Sequence, residues 1–438
     1  VTTPYITDFA TIANNGGRAE PSWLRAARRE GIERFEKLGF PTPRNEDWHF
    51  TSVARIAEAT FSPLRTSSGQ VTREALAQFT FGHAEWPSLV FVNGRYDKSL
   101  STGVALDPGV RAIDLATALR EEPALIEPWL GKISPAGDRS FTALNTAFMA
   151  DGAVVHIAAE CVVRLPLHLI FVSNANAAKG VTYPRNLIVA GKNSRATVIE
   201  SYVSIGDAGY FTNAVTEVAV EAGATLAHYK IQRESQRAFH VHTIDTKQAR
   251  DSHYVSFAFA TGAELSRTNI YTLLDGEGCG ATLNGLYMGD DEQHMDHQTN
   301  IVHAQPNTFS RELYKGILSG SAHGVFNGKV YVYPIAQKTD GKQTNNNLLL
   351  SERARIDTKP QLEIFADDVR CTHGATVGRL DEMALFYMKS RGVPEDSARR
   401  LLTYAFAADV LETIEIEAVR EELEGATLHR FTGASTQL

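Results

Sequence analysis

From about Gly152 to Arg379 the chain runs in short stretches of β-branched and aromatic residues separated by Gly, Asn and Asp, with almost no helical spacing. Such a stretch folds as strands. The clearest runs are Ala153 to Ile157, Leu167 to Val172, Leu187 to Val189, Ala196 to Val203, Val215 to Val220, Thr225 to Ile231, Tyr254 to Phe259 and Lys329 to Val332. A sandwich and a solenoid both accommodate them. Internal echoes favour the solenoid: Gly223-Ala224-Thr225-Leu226, Gly262-Ala263-Glu264-Leu265 and Gly280-Ala281-Thr282-Leu283 share one pattern, with weaker copies from Arg195, Arg353 and Gly374. Their offsets cluster loosely around ~20 residues and its doubles, as coils of a parallel β-helix would. The same tetrad also opens strands in other β proteins.

Both flanks read differently. Ser22-Trp23-Leu24 leads into an Arg/Glu-rich stretch to Leu38, and Gly39-Phe40-Pro41-Thr42-Pro43 stops it. Thr72 to Phe79 and Ile113 to Leu119 also have helical spacing, whereas Leu89 to Tyr96 is a β run around the turn dipeptide Asn93-Gly94. After Arg379, Met383, Phe386 and Tyr387 sit at helix spacing, Gly392 is a stop, and Pro394-Glu395-Asp396 starts another helix. Ala398, Leu401, Leu402, Ala405 and Phe406 form one apolar stripe, continued by Ile416, Val419 and Leu423. The helical end either caps the solenoid or offers Leu402 and Phe406 to a partner. The expected organisation is a mainly helical domain over 1–150, a β core over 151–379 and a helical domain over 380–438.

Charge and cysteine usage narrow the function classes. Asp+Glu total 51 against 43 Lys+Arg, a formal charge of −8, which disfavours a general nucleic-acid or anionic-membrane binder. No apolar run approaches the roughly 20 residues needed to span a bilayer, and Val1 to Ala10 lacks the order of a secretory signal. The expected compartment is the cytoplasm. Cys161, Cys279 and Cys371 lie far apart without CxxC spacing, so they make neither a disulfide framework nor a self-contained zinc ribbon. A metal held by one of them needs ligands from elsewhere in the chain or from another subunit.

Phosphate loops, GxSxG elbows, HExxH helices and GxGxxG turns are all missing, so the chain is not an evident ATPase, hydrolase or dehydrogenase. His294, His297 and His303 crowd a segment with Asp290, Asp291 and Asp296. As a polar loop this segment has no fixed third ligand, which favours hydrogen-bonded histidines over a metal site. Ala366-Asp367-Asp368-Val369-Arg370-Cys371-Thr372-His373-Gly374 is sharper. As a strand it projects Cys371 and His373 from one face, a thiolate beside an imidazole. Two ligands are too few for a stable structural metal but suit a centre completed across an interface; the alternative is a buried Cys beside a core His.

The segments Asn307-Thr308-Phe309-Ser310-Arg311, Gly328-Lys329-Val330-Tyr331-Val332, Gln343 to Ser351 (QTNNNLLLS), Lys359-Pro360-Gln361-Leu362-Glu363-Ile364 and Cys371 to Gly378 (CTHGATVG) follow in an order that resembles the SufB/SufD family of iron–sulfur cluster assembly scaffolds. The likeness continues through Phe386-Tyr387 and Ser390-Arg391-Gly392, and Pro41 to Trp48 (PTPRNEDW) extends it towards the N-terminus. The chain's length and His373-Gly374 are similar to the SufD branch. This resemblance implies a right-handed parallel β-helix between helical domains and a non-catalytic scaffold. It also implies a SufB-like paralogue as partner, a SufC-like ABC ATPase on the C-terminal helices, and a transient iron–sulfur cluster at His373, with Cys371 as a second candidate. A homodimer is the alternative state of the free chain. A β-solenoid carbohydrate-active enzyme would need carboxylates stacked along one face, and Asp and Glu show no such regularity. A purely structural partner would use Cys371 and His373 for packing alone.

Overall fold

The computed structural model describes residues 2–16, 20–64, 71–102 and 106–430. The chain alternates between two long sheets, so each strand pairs with the strand two places further on rather than with its sequence neighbour. One sheet runs in order through Ala153–Ile157, Arg185–Ala190, Phe211–Val220, Phe239–Gln248, Leu265–Leu274, His294–His303, His323–Val332 and Arg355–Ile364. The other runs through Leu167–Ser173, Arg195–Ser204, Thr225–Glu234, His253–Gly262, Gly280–Gly289, Phe309–Leu318, Asp340–Leu349 and Arg370–Gly378. Pairing along both series is parallel and in register, which makes a β-solenoid of about eight turns and excludes a sandwich.

The repeat differs from the spacing of about 20 residues that the tetrads suggest. Strands of the second sheet begin at residues 195, 225, 253, 280, 309, 340 and 370, so a turn takes 27 to 31 residues. The tetrads at Gly223 and Gly280 enter this sheet, the one at Gly262 leads into the other, and Gly374 lies inside a strand; their spacing mixes half turns with full ones. The true period is carried by the corner residue two or so positions before the first six of these seven strands. Asn193, Gly223, Asp251, Gly278, Asn307 and Lys338 all have positive φ, between 54° and 73°. Gly, Asn and Asp are the residue types that reach this region at low cost. At Gly223 the side chain of Asn193 from the preceding turn lies over the backbone, and a Cβ there would come within 2.2 Å of the Asn193 Oδ1.

The lumen is filled by inward residues such as Leu169, Val198, Leu226, Tyr254, Leu283 and Tyr314. Outside it, the first 150 residues contribute more than helices. The hairpin of Ser88–Val92 and Arg95–Tyr96, closed by left-handed Asn93 and Gly94, adds to the first strand of one sheet, and Val110–Asp114 lies antiparallel to the first strand of the other. Helix Ser140–Phe148 is buried along its whole length, between Ser22–Leu38 and the solenoid.

Three helices follow the last turn: Glu382–Ser390, Glu395–Leu411 and Glu417–Arg430. The second lies against the outer face of the second sheet with the third beside it, and Val410, Leu411, Val419 and Leu423 pack on Tyr229, Ile231, Phe257, Leu286 and Ile317, while Glu382–Ser390 packs on the second helix. The helical end therefore flanks the solenoid and does not cap it. The reason is local: the outward residues of that sheet are apolar, so burying them outweighs closing the end. Arg355–Ile364 and Arg370–Gly378 remain the edge strands of their sheets. No described helix is long and apolar enough to cross a membrane.

Candidate functional site at the open end of the solenoid

Cys371 and His373 lie on the final strand, and strand alternation puts them on the same face. Register aligns Cys371 with Gly341 and His373 with Gln343 one turn below. Gly341 leaves room for the thiol, because a Cβ there would come within 3.3 Å of the Cys371 Sγ. The thiol is half-buried against the cluster of Val330, Val332, Ala336 and Ala366, and burial pushes it above its usual range. At neutral pH it carries its proton and must lose it to bind a metal. His373 is exposed. Among the described residues no three His, Cys, Asp or Glu side chains converge on a metal-sized site; the pair lies on the lumenal face of the last strand, with His373 exposed because no further turn covers it.

The histidine-rich segment is a strand, not a loop, because the turn ends at Gln293 and the ten residues from His294 pair on both sides. Alternation then separates its side chains. His297 and His303 are buried in the lumen, and six positions separate them, about 20 Å along a strand. His303 is held by Thr308 and Ser310 at 2.8 and 3.0 Å, and His297 stacks on Tyr287 at 4.7 Å between ring centroids. His294 meets Thr51 at 2.8 Å, while Asp296 pairs with Arg267 at 2.6 Å. Thr51 also donates to Asp296 at 2.6 Å, so His294 and Asp296 share one partner, but the three histidines do not meet at a common site.

Phe406 turns inward. Its ring lies 4.5 Å from the Lys315 Nζ, which also donates to its carbonyl at 2.6 Å and pairs with Asp409 at 2.5 Å. Leu402 is half-buried. The apolar side chains that these helices leave in solvent are Met383, Phe386, Tyr387 and Leu401, at 75%, 68%, 59% and 48% exposure. The widest stripe of a helix goes to the core, and the residues left over face outward.

A lumenal polar cluster escaped the reading of the sequence. Glu200, His228, Lys230, Glu234, His240 and His242 are all buried. His228 lies 3.2 Å from Glu200, His240 lies 2.8 Å from Glu234, and Lys230 donates to Thr268 at 3.1 Å. Burial lowers Lys230 to about 7. The signal was the alternate spacing of His228, Lys230, Gln232 and Glu234, which put one polar face towards the interior.

Buried histidines make stability pH-dependent. Burial lowers His168 and His297 to about 3, and His294 and His303 to about 4. Below about pH 6.5 the unfolded chain takes up protons at these rings that the folded chain refuses, so their contribution is present above that pH and lost on acidification. Burial raises Glu312 to about 7 and Asp151 to about 6; these acids act oppositely, stabilising progressively as pH falls. Burial also lowers His240 and His242, so the histidines outweigh the acids and stability falls between pH 6 and 5. Urea unfolding at pH 7, 6 and 5 should show a falling midpoint, and an unchanged one would contradict this balance.

The fold and the pair together define a β-solenoid with a thiol and an imidazole side by side on its last strand. Two family models cover nearly the whole chain: the SufBD protein N-terminal region over residues 2–169, and the SufBD core domain of SUF system FeS cluster assembly over residues 171–406. The chain belongs to the SufB/SufD family of iron–sulfur cluster assembly proteins. It is 33% identical to the iron–sulfur cluster assembly protein SufD of Escherichia coli, over 96% of this chain and 99% of that one. It is 30% identical to SufD of Bacillus subtilis, over 92% and 93%. A SufBD family protein of Synechocystis is 32% identical over 92% of this chain and 90% of its own.

Proposed function

We propose that the chain is a SufD-type scaffold subunit that shares a nascent iron–sulfur cluster with a SufB-like paralogue through the open end of the solenoid. His373 is the main ligand on this side and Cys371 a second. The observation that carries the reading is the position of the pair: one face of an edge strand on which every residue except Cys371 is exposed. An edge strand offers unpaired backbone groups to a partner's strand, and Phe365 and Val377, at 55% and 51% exposure, add apolar area nearby. Neutral imidazole binds iron more weakly than thiolate does, so a mixed site holds a cluster firmly enough to build it and loosely enough to pass it on.

A SufC-like ABC ATPase is the partner for the C-terminal helices, with Met383, Phe386 and Tyr387 as the exposed contact residues and Leu402 at the margin. Movement of these helices would be felt at the pair, because Glu382–Ser390 follows directly on the strand that carries Cys371 and His373 and packs on Glu395–Leu411, which lies on the same sheet. Co-expression with candidate SufB-like and SufC-like subunits, then anaerobic reconstitution with iron and sulfide followed by absorbance, tests the reading. A ternary complex that develops cluster bands supports it; a chain that stays alone or forms only homodimers in their presence defeats it. Met383→Asp with Phe386→Asp should remove the ATPase subunit and leave the paralogue bound, read by which subunits co-purify.

A further inference from the structure

We propose that Gln343 is a positioning residue for His373: its side-chain carbonyl accepts one ring N–H, which selects the imidazole tautomer and leaves the other nitrogen as the ligand. This rests on the reading of His373 as a cluster ligand. In register Gln343 lies directly beneath His373, and side chains at matching positions of adjacent turns stack. Gln343 is 1% exposed, and its Oε1 has no hydrogen-bond partner among the described residues. A buried acceptor without a donor is destabilising, and the group above it can supply the missing donor.

Two further contacts decide which end of the amide is free. The Gln343 Nε2 donates to the Glu312 Oε2 at 2.6 Å, so the nitrogen is engaged by a carboxyl one turn further down and the oxygen is left over. Opposite, Gly328 provides the space: a Cβ there would lie 2.1 Å from the Gln343 Nε2. The amide therefore occupies a slot that only glycine leaves open. Deeper in the same column the register positions are Leu283, Ser256 and His228, so the unbroken run Glu312, Gln343, His373 is confined to the last turns. Histidines that bind metals commonly donate their second ring nitrogen to such an acceptor.

The test compares the wild-type chain, Gln343→Leu, and the exchange Glu312→Gln with Gln343→Glu, which reverses the donor and acceptor of the lower pair but still leaves an oxygen at position 343 to accept from His373. Histidine-labelled nitrogen NMR reads the tautomer, with His373→Ala assigning the signal. One tautomer should dominate in the wild type, the ratio should fall about fivefold in Gln343→Leu, as expected for one net hydrogen bond, and the exchange should restore it. Urea unfolding shows whether each variant is folded. A folded Gln343→Leu chain with the wild-type ratio overturns the positioning role. Reconstituting the same proteins within the complex separates the two claims. If His373→Ala assembles clusters normally, the ligand reading fails whatever the tautomer shows; if the tautomer does not respond while His373→Ala is inactive, only the role of Gln343 fails.

Discussion

His373→Ala is expected to abolish cluster assembly by the complex while leaving the chain folded and its partners bound. The physical basis is separation of function from stability. His373 is exposed on an edge strand, and removing an exposed side chain away from caps and buried networks changes stability by about 0.5 kcal/mol or less. The ring nitrogen has no replacement nearby, since no other His, Cys, Asp or Glu of the described residues converges with the pair. Thermal unfolding should match the wild type, co-purification should be unchanged, and absorbance after anaerobic reconstitution should stay at the level of a complex lacking this subunit. Cys371→Ala should have a smaller effect, because burial holds that thiol protonated. Normal assembly by His373→Ala would reject the ligand role and favour a purely structural subunit.

The largest stability effect is expected at Arg185, which with Glu217 is fully buried where the N-terminal helices meet the solenoid. The guanidinium donates twice to the Glu217 Oε1, at 2.9 and 2.7 Å, and also to Asn145, Thr146 and the Ser134 carbonyl. The carboxylate in turn accepts the backbone N–H groups of Gly131, Ile133 and Ser134. Removing one partner strands a buried charge, whereas removing both does not. Arg185→Ala should therefore cost about 3–5 kcal/mol, and Arg185→Met combined with Glu217→Leu should cost less than either single truncation. Urea unfolding measures all three. A loss below about 1 kcal/mol in Arg185→Ala would mean that water reaches this junction.

Local elements were legible because their signals are local. The helix Ser22–Leu38 has the bounds that its start and stop residues suggest, the strand Ala153–Ile157 coincides with its apolar run, and Asn93-Gly94 makes the hairpin turn it announces. Ile416, Val419 and Leu423 do face a core. The misreadings came from features that depend on distant neighbours. His294 to His303 resembles a loop because it is polar, yet the solenoid lumen accepts alternate polar residues once they find partners such as Thr308 and Ser310. Phe406 looks available on a helix drawn alone, and it is Lys315, from a strand 91 positions away, that occupies its face.

What the amino-acid order determined was the alphabet of the fold: strands of period two, left-handed corners at Asn, Gly and Asp, helices at both ends, and a thiol two positions from an imidazole. All of these follow from steric and hydrogen-bonding preferences within a few residues. The tertiary structure alone decided the length of a turn, the side on which the C-terminal helices settle, and the exposure of the final strand. Each of those depends on which apolar faces meet across hundreds of residues, and burial energy is a property of the meeting surfaces and not of either segment by itself.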